Sequence, residues 1–266
     1  MTSAVPVLMY HHIAPDREVT PPEFELQLRH LQTGGWNTIT LSEMADHLSG
    51  KKPLSGKNVM LTFDDGYADN WVWAYPLLKK YAMNAVVFLT TCRIGEGPVR
   101  PLHEGCLDTR TAERVPDGFL RWDEVRAMSE EGVFEIGSHT HTHKNFDKAA
   151  RYPDIVQELQ RSASVIKEEL GILPVSLAWP WGYYEKDFPA RAAECGYKLV
   201  FTTRGGSNCK GTDPLAIKRF KVQNGDLRWL DARLWLYSTC LGDIYGQIYG
   251  LNSRLKHKIL SLFRGA

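Results

Sequence analysis

Apolar positions along the chain switch repeatedly between a period of two and a period near 3.6, which predicts strands and helices in alternation. Short apolar runs at 5–10, 37–40, 58–63, 85–90, 133–136, 175–179, 198–202 and 217–222 read as strands. Between them, Phe24, Leu28 and Leu31 recur at helical spacing across 22–31, and Gly34-Gly35 stops the run. Further helices are expected from Ser42 as cap through 48, across Trp71, Leu77 and Leu78 with an interruption at Pro76, and over 122–128 with Asp123 as cap. Others are expected over 153–170 (closed by Gly171), 188–195 and, with amphipathic character, 227–241. From 93 to 119 the pattern dissolves into a long excursion. Strands alternating with helices predict a parallel sheet or barrel with helical crossovers. No internal repeat or linker divides the chain, so one domain is expected.

Composition narrows the picture. Lys plus Arg is 32 against 31 for Asp plus Glu, a net charge of +1, so no basic excess points to nucleic acid. The longest purely apolar stretch is 85–89, far below the roughly 20 residues of a spanning helix. The first fifteen residues have neither a basic start nor an apolar run, which leads us to expect a cytoplasmic protein. Five cysteines without a CxxC pair read as reduced thiols, with a Cys92–Cys106 bridge as the less favoured alternative. Near the end, Leu251, Leu255, Ile259 and Leu262 recur at helical spacing with Arg254, Lys256, Lys258 and Arg264 among them. Such a basic amphipathic helix either packs on its own domain or touches an anionic membrane surface peripherally.

Two segments carry candidate chemistry, and both follow strands. Leu61-Thr62-Phe63-Asp64-Asp65-Gly66-Tyr67 runs a strand into adjacent carboxylates, which repel unless something positive compensates. The alternative is an ordinary Asp-Asp-Gly turn. Glu135-Ile136-Gly137-Ser138-His139-Thr140-His141-Thr142-His143 places three histidines within five residues. On a helical turn His139 and His143 share a face and converge on one metal, with His141 a weaker candidate. Histidines plus a carboxylate form the ligand set of a catalytic divalent ion with open positions.

These residues resemble a known family. Thr62-Phe63-Asp64-Asp65-Gly66 and His139-Thr140-His141-Thr142-His143 are similar to the first two motifs of the polysaccharide deacetylases, the NodB-homology or carbohydrate esterase 4 group. The resemblance implies an α/β fold, a distorted (β/α)7–8 barrel over 1–226; beyond it, the helical spacing of 227–266 reads as a C-terminal helical extension packed on the same domain. It implies hydrolysis of N-acetyl groups on sugars. One divalent ion would be held by Asp65, His139 and His143, with zinc expected and cobalt, nickel or manganese as alternatives. Asp64 would be the catalytic base.

A third segment, Ala178-Trp179-Pro180-Trp181-Gly182, matches the family's third motif except that Ala178 replaces its Arg. The resemblance implies that Trp181 lines the groove and its backbone N–H serves the oxyanion. Tyr67, Trp179, Pro180, Trp181 and Arg219 are the substrate-binding candidates. Arg219, on a late strand, is also a candidate to hold Asp64 in place of the missing Arg. The family's late acidic His has no counterpart, since after His143 only His257 remains. Tyr10-His11-His12 resembles the strand-end Tyr-His of exported poly-N-acetylglucosamine deacetylases, which nominates His11 as the acid or as a group supporting the metal's ligands. Two other readings stay open: a metal amidohydrolase for a non-sugar amide, and a glycan-binding module that has lost its catalytic groups. On the leading reading, a cytoplasmic location makes the substrate a precursor, an N-acetylated sugar on a nucleotide or a lipid carrier.

Overall fold

The alternation builds one curled parallel sheet. The computed structural model describes residues 4–102, 118–145, 155–182, 185–223, 227–239 and 242. Its strands are β1 (Val7–Tyr10), β2 (Trp36–Thr38), β3 (Lys57–Phe63), β4 (Ala85–Leu89), β5 (Phe134–Ser138), β6 (Ser176–Ala178), β7 (Leu199–Phe201) and β8 (Phe220–Lys221). They lie in the order β7-β6-β5-β4-β3-β1-β8, with β2 beside β3, and the pairs run parallel. Ile217 bridges to Phe201 of β7 while Phe220 pairs with Leu8 of β1, so one short segment touches both edges of the sheet. This is the distorted barrel expected from the sequence.

Seven helices are described: α1 (Pro21–Thr33), α2 (Leu41–Ser49), α3 (Tyr75–Lys80), α4 (Trp122–Glu130), α5 (Ile155–Leu170), α6 (Phe188–Glu194) and α7 (Leu227–Tyr237). Two starts differ from expectation. Thr40, not Ser42, caps α2: its hydroxyl accepts the Glu43 N–H while the Glu43 carboxylate accepts the Thr40 N–H, a reciprocal capping box. At α4 the Glu124 carboxylate accepts the Arg121 N–H, and Asp123 sits in the first turn. The expected interruption at Pro76 takes the form of a π-helical turn inside a continuous helical run. The turn (Asn70–Ala74) runs straight into α3, whose first turn holds the proline, so the ladder is re-spaced where the ring removes an N–H.

Both faces of the sheet are buried, which is why the strands read as continuous apolar runs. Val59, Leu61 and Phe63 pack with α1, α3 and α4 in one cluster. Met60, Val7, Val86, Phe88 and Phe201 fill the other face together with α2. Gly137 lies between β4 and β6 on that inner face: an added Cβ would stand 2.5 Å from the Phe88 ring and 2.6 Å from Ser176 Oγ. Helix α7 buries Leu230, Leu234 and Tyr237 in the same cluster as β1 and β3. It ends at Tyr237, short of the expected 241. Among the described residues no helix is long and apolar enough to cross a membrane. The basic segment at 251–263, most of the 93–119 excursion and Cys106 lie outside the described residues.

Candidate active site

Strand register brings the predicted chemistry to one rim. Tyr10 pairs with Phe63, Leu89 with Ser138 and Ala178 with Phe201, so His11, Asp64, His139 and Trp179 all follow strand ends that lie level. This carboxyl-terminal rim is where parallel α/β barrels place their catalytic groups.

Asp64 continues the two-residue alternation of Met60 and Thr62, which turns it inward. There the guanidinium of Arg219 grips it in a fork: Nη1 donates to Oδ1 at 2.6 Å and Nη2 to Oδ2 at 2.8 Å. Arg219 is itself 1% exposed. Its Nε donates to the Thr202 carbonyl and its Nη1 also reaches the Thr62 hydroxyl. The guanidinium lies 5.5 Å from the Phe88 ring and 6.0 Å from that of Phe201. Burial pushes the Asp64 carboxyl up, but Arg219, with His139 and His11, outweighs it and holds the group below the usual carboxylate range.

Asp65 faces the other way. Its φ is +74°, and the ligand atoms of Asp65, His139 and His143 all lie within 4.8 Å of one another. His143 Nε2 is 3.0 Å and His139 Nε2 3.7 Å from Asp65 Oδ1. Yet among the described residues that buried oxygen has no aligned hydrogen-bond donor. His139 Nδ1 lies 2.8 Å from the Ala178 carbonyl, which can only accept. The proton is therefore on Nδ1, and the Nε2 lone pair faces Asp65. Burial lowers the His139 pKa against the pull of Asp64 and Asp65, favouring the neutral imidazole that ligates metals. Two nitrogens and one carboxylate oxygen converging without a shared proton fit a divalent cation.

The two histidines do not share a helical turn. His139 extends β5, donating its N–H to the Leu89 carbonyl, and the chain then turns through Thr140 (φ +64°) and His143 (φ +57°). Of the five non-glycine residues with positive φ among the described residues, Asp65, Thr140, His143 and Trp181 belong to these loops, and Ala82 lies elsewhere. Each such conformation costs about 1–3 kcal/mol, and that strain concentrates at functional sites.

The remaining candidates divide. His11 bears electrostatically on both carboxylates, and its buried Nδ1 has no hydrogen-bond partner among the described residues. Burial, then the charge of Asp65, raises the Tyr67 hydroxyl to about 12. His141 turns aside to the Thr91 hydroxyl at 2.9 Å. Trp181 is 61% exposed with its ring 5.5 Å from His143, and Pro180 is buried beside it. Trp179, expected in the groove, is instead fully buried against Phe188. Its N–H still pairs with the Phe201 carbonyl, so it extends β6 and its side chain packs beneath α5 and α6. Arg219, grouped with the substrate binders, is occupied by Asp64 and stands away from solvent.

One pair escaped the sequence reading. His12 Nδ1 lies 2.6 Å from Asp69 Oδ2, and the His12 ring stacks on Tyr67 at 3.6 Å. The partners stand 57 positions apart and share no motif, so only their neighbours His11 and Tyr67 pointed towards them.

Comparison with known proteins gives the same picture. Residues 51–200 match the family model for polysaccharide deacetylases. YxkH of Bacillus subtilis (strain 168) is 29% identical over 224 residues, covering 83% of this chain and 72% of that protein. The poly-beta-1,6-N-acetyl-D-glucosamine N-deacetylase of Escherichia coli (strain K12) is 21% identical over 68% of this chain, a match spanning 30% of that enzyme's length. Among solved structures, IcaB from Ammonifex degensii superposes with a TM-score of 0.73 at 25% identity, covering 88% of this chain and 97% of that one. A family model across more than half the chain, with both metal-site motifs inside it, places the protein in the polysaccharide deacetylase family, hydrolases of carbon–nitrogen bonds other than peptide bonds.

Proposed function

We propose that this chain hydrolyses the acetamide of an N-acetylated amino sugar, with one divalent ion held by Asp65, His139 and His143 and with Asp64 as general base. The observation that carries the reading is the contrast between neighbouring carboxylates. Asp64 is locked by Arg219, while Asp65 faces two imidazoles. When bound, the ion is a Lewis acid that lowers the pKa of water to about 7 and polarises the acetyl carbonyl. Asp64, kept ionised and fixed by Arg219, takes a proton from the attacking water as the carbon–oxygen bond forms. His11 is assigned the proton that the amine nitrogen needs as the carbon–nitrogen bond breaks, and acetate and a free amine leave. The backbone N–H of Trp181 is assigned to the developing oxyanion, and the exposed Trp181 ring and Tyr67 to the sugar. Zinc is the ion we assign, because two imidazoles and one carboxylate with open positions are a catalytic zinc set.

We further place the enzyme in the cytoplasm, acting on a precursor sugar carried by a nucleotide or a lipid. The odd number of cysteines without a CxxC pair supports that assignment.

Acetate release tests the reaction. The substrates are β-1,4- and β-1,6-linked N-acetylglucosamine oligomers, a UDP-linked N-acetyl sugar and an N-acetyl amino acid. Acetate with a matching free amine from the sugars is expected. Release from the amino acid alone would favour the amidohydrolase, and tight glycan binding without release would favour a degenerate binding module.

A further inference from the structure

We infer that the cleft between the ends of β1 and β8 is a second sugar subsite, with the face of His12 as its platform. This rests on the N-deacetylase reading above. Phe119 stacks on Tyr67 with centroids 5.1 Å apart and planes at 22°, and His12 stacks on Tyr67 at 3.6 Å and 23°. Two rings nearly parallel to a third at these separations must take its opposite faces. The Arg93 guanidinium lies 5.1 Å from the Phe119 ring. A column of Arg93, Phe119, Tyr67 and His12 therefore ends at His12, and among the described residues no further ring covers it.

His12 cannot swing freely. Its Nδ1 is bound at 2.6 Å to Asp69, which is buried and whose other oxygen accepts from Asn70 at 2.8 Å. A cleft of about 280 Å³ opens beside it, lined by Arg17, Glu18 and Val19 from one loop, Lys221 of β8, His12 and Tyr67. That volume is near the lower end of small-molecule sites, about 300–1,000 Å³, which suits a single ring. A pyranose has an apolar C–H face that lies on an aromatic plane and a rim of hydroxyls that need donors and acceptors. His12 supplies the plane, Arg17 and Lys221 supply donors, and Glu18 supplies an acceptor. Lys221 Nζ is 2.8 Å from Glu18 Oε1, so the rim carries both signs and favours a neutral sugar over a phosphate; of the carried precursors, this fits one with a further sugar beside the deacetylated residue rather than a single sugar on a nucleotide. His11 also lines this cleft, so a ring on His12 is the neighbour of the residue being deacetylated.

The test is chain-length dependence of kcat and KM on N-acetylglucosamine oligomers of one to four residues. The wild type is expected to gain about tenfold in kcat/KM from one residue to two, the order of one good stacking contact. His12→Ala should lose most of that gain, mainly through KM. Lys221→Ala, at an exposed position that cannot unfold the core, should lose a smaller part. A gain retained in both variants, or absent from the wild type, overturns the subsite. Calorimetric titration with the trimer reads binding without turnover: binding by wild type that weakens about tenfold in His12→Ala supports the subsite, and no binding by the wild type refutes it. Absent acetate release with His12-dependent binding would instead refute the deacetylase reading and leave the subsite standing.

Discussion

A carboxylate removed from water stays ionised only if a cation is fixed against it. Asp64 meets that condition through the two-pronged grip of Arg219, 155 positions away in the chain. Arg219→Ala should therefore cost about 3–5 kcal/mol, because it leaves a buried charge unpaired. Arg219→Lys keeps the charge but not the fork and should fold better than Arg219→Ala. Urea denaturation checks both, and wild-type stability in Arg219→Ala would contradict the pairing. Residues contiguous in sequence were legible: Asp64-Asp65 and the histidine triplet are written out in order. Arg219, nominated from its place on a late strand to hold Asp64 in place of the missing Arg, does hold it, though the sequence does not show the fork geometry. Trp181 was assigned the groove by the family resemblance, but the burial of Trp179 was not legible, because the turn that separates the two depends on a φ of +61° at Trp181, which no pattern of apolar positions encodes.

At the scale of elements, β5 carries the most. It delivers His139, and Gly137 lets β4 and β6 close around it. Gly137→Ala would drive a methyl into Phe88 and Ser176, and overpacking of this kind costs about 1–3 kcal/mol. A matching fall in melting temperature together with weaker metal retention is expected, and a wild-type melt would show that the strands can part there. The same strand binds α2 through Glu135, whose carboxylate accepts the Leu41 N–H at 2.7 Å. Burial raises the Glu135 pKa, against the opposing effect of that N–H. The native state then holds a proton that the unfolded chain has released, so stability falls as pH rises from the ordinary glutamate range through the raised value. Glu135→Gln should flatten that part of the stability–pH curve, and an unchanged slope would remove Glu135 from it. Strand and helix periods predicted these elements within a few residues. Caps were less legible, since Ser42 and Asp123 are good capping residues that the register of each helix left inside the first turn. The four-residue histidine spacing suggested a helical turn because spacing alone does not report the left-handed backbone at Thr140 and His143.

Over the whole molecule, a sheet closed by the 217–221 segment holds its strand ends level, and that is how residues from β1, β3, β5 and β8 reach one rim. The barrel was legible in the alternation of elements and in the motifs. The His12–Asp69 pair was not, because packing rather than pattern creates it. The basic stripe at 251–263 still has a consequence at this scale. If it meets an anionic leaflet, each Lys or Arg contributes about 1 kcal/mol and binding is salt-sensitive. The intact chain should then sediment with phosphatidylserine vesicles at low salt, and a chain ended after Gly250 should not. Equal behaviour of the two would assign the stripe to packing. The central claim is the division of labour between adjacent carboxylates. Metal content by elemental analysis, taken with acetate release from an N-acetylglucosamine oligomer, tests it in Asp64→Asn, Asp65→Ala and His143→Ala. The account predicts that Asp64→Asn keeps its ion and loses about 10²–10⁴-fold in rate, while the other two lose ion and rate together. Full metal occupancy in Asp65→Ala and His143→Ala, or wild-type turnover by Asp64→Asn, would contradict it.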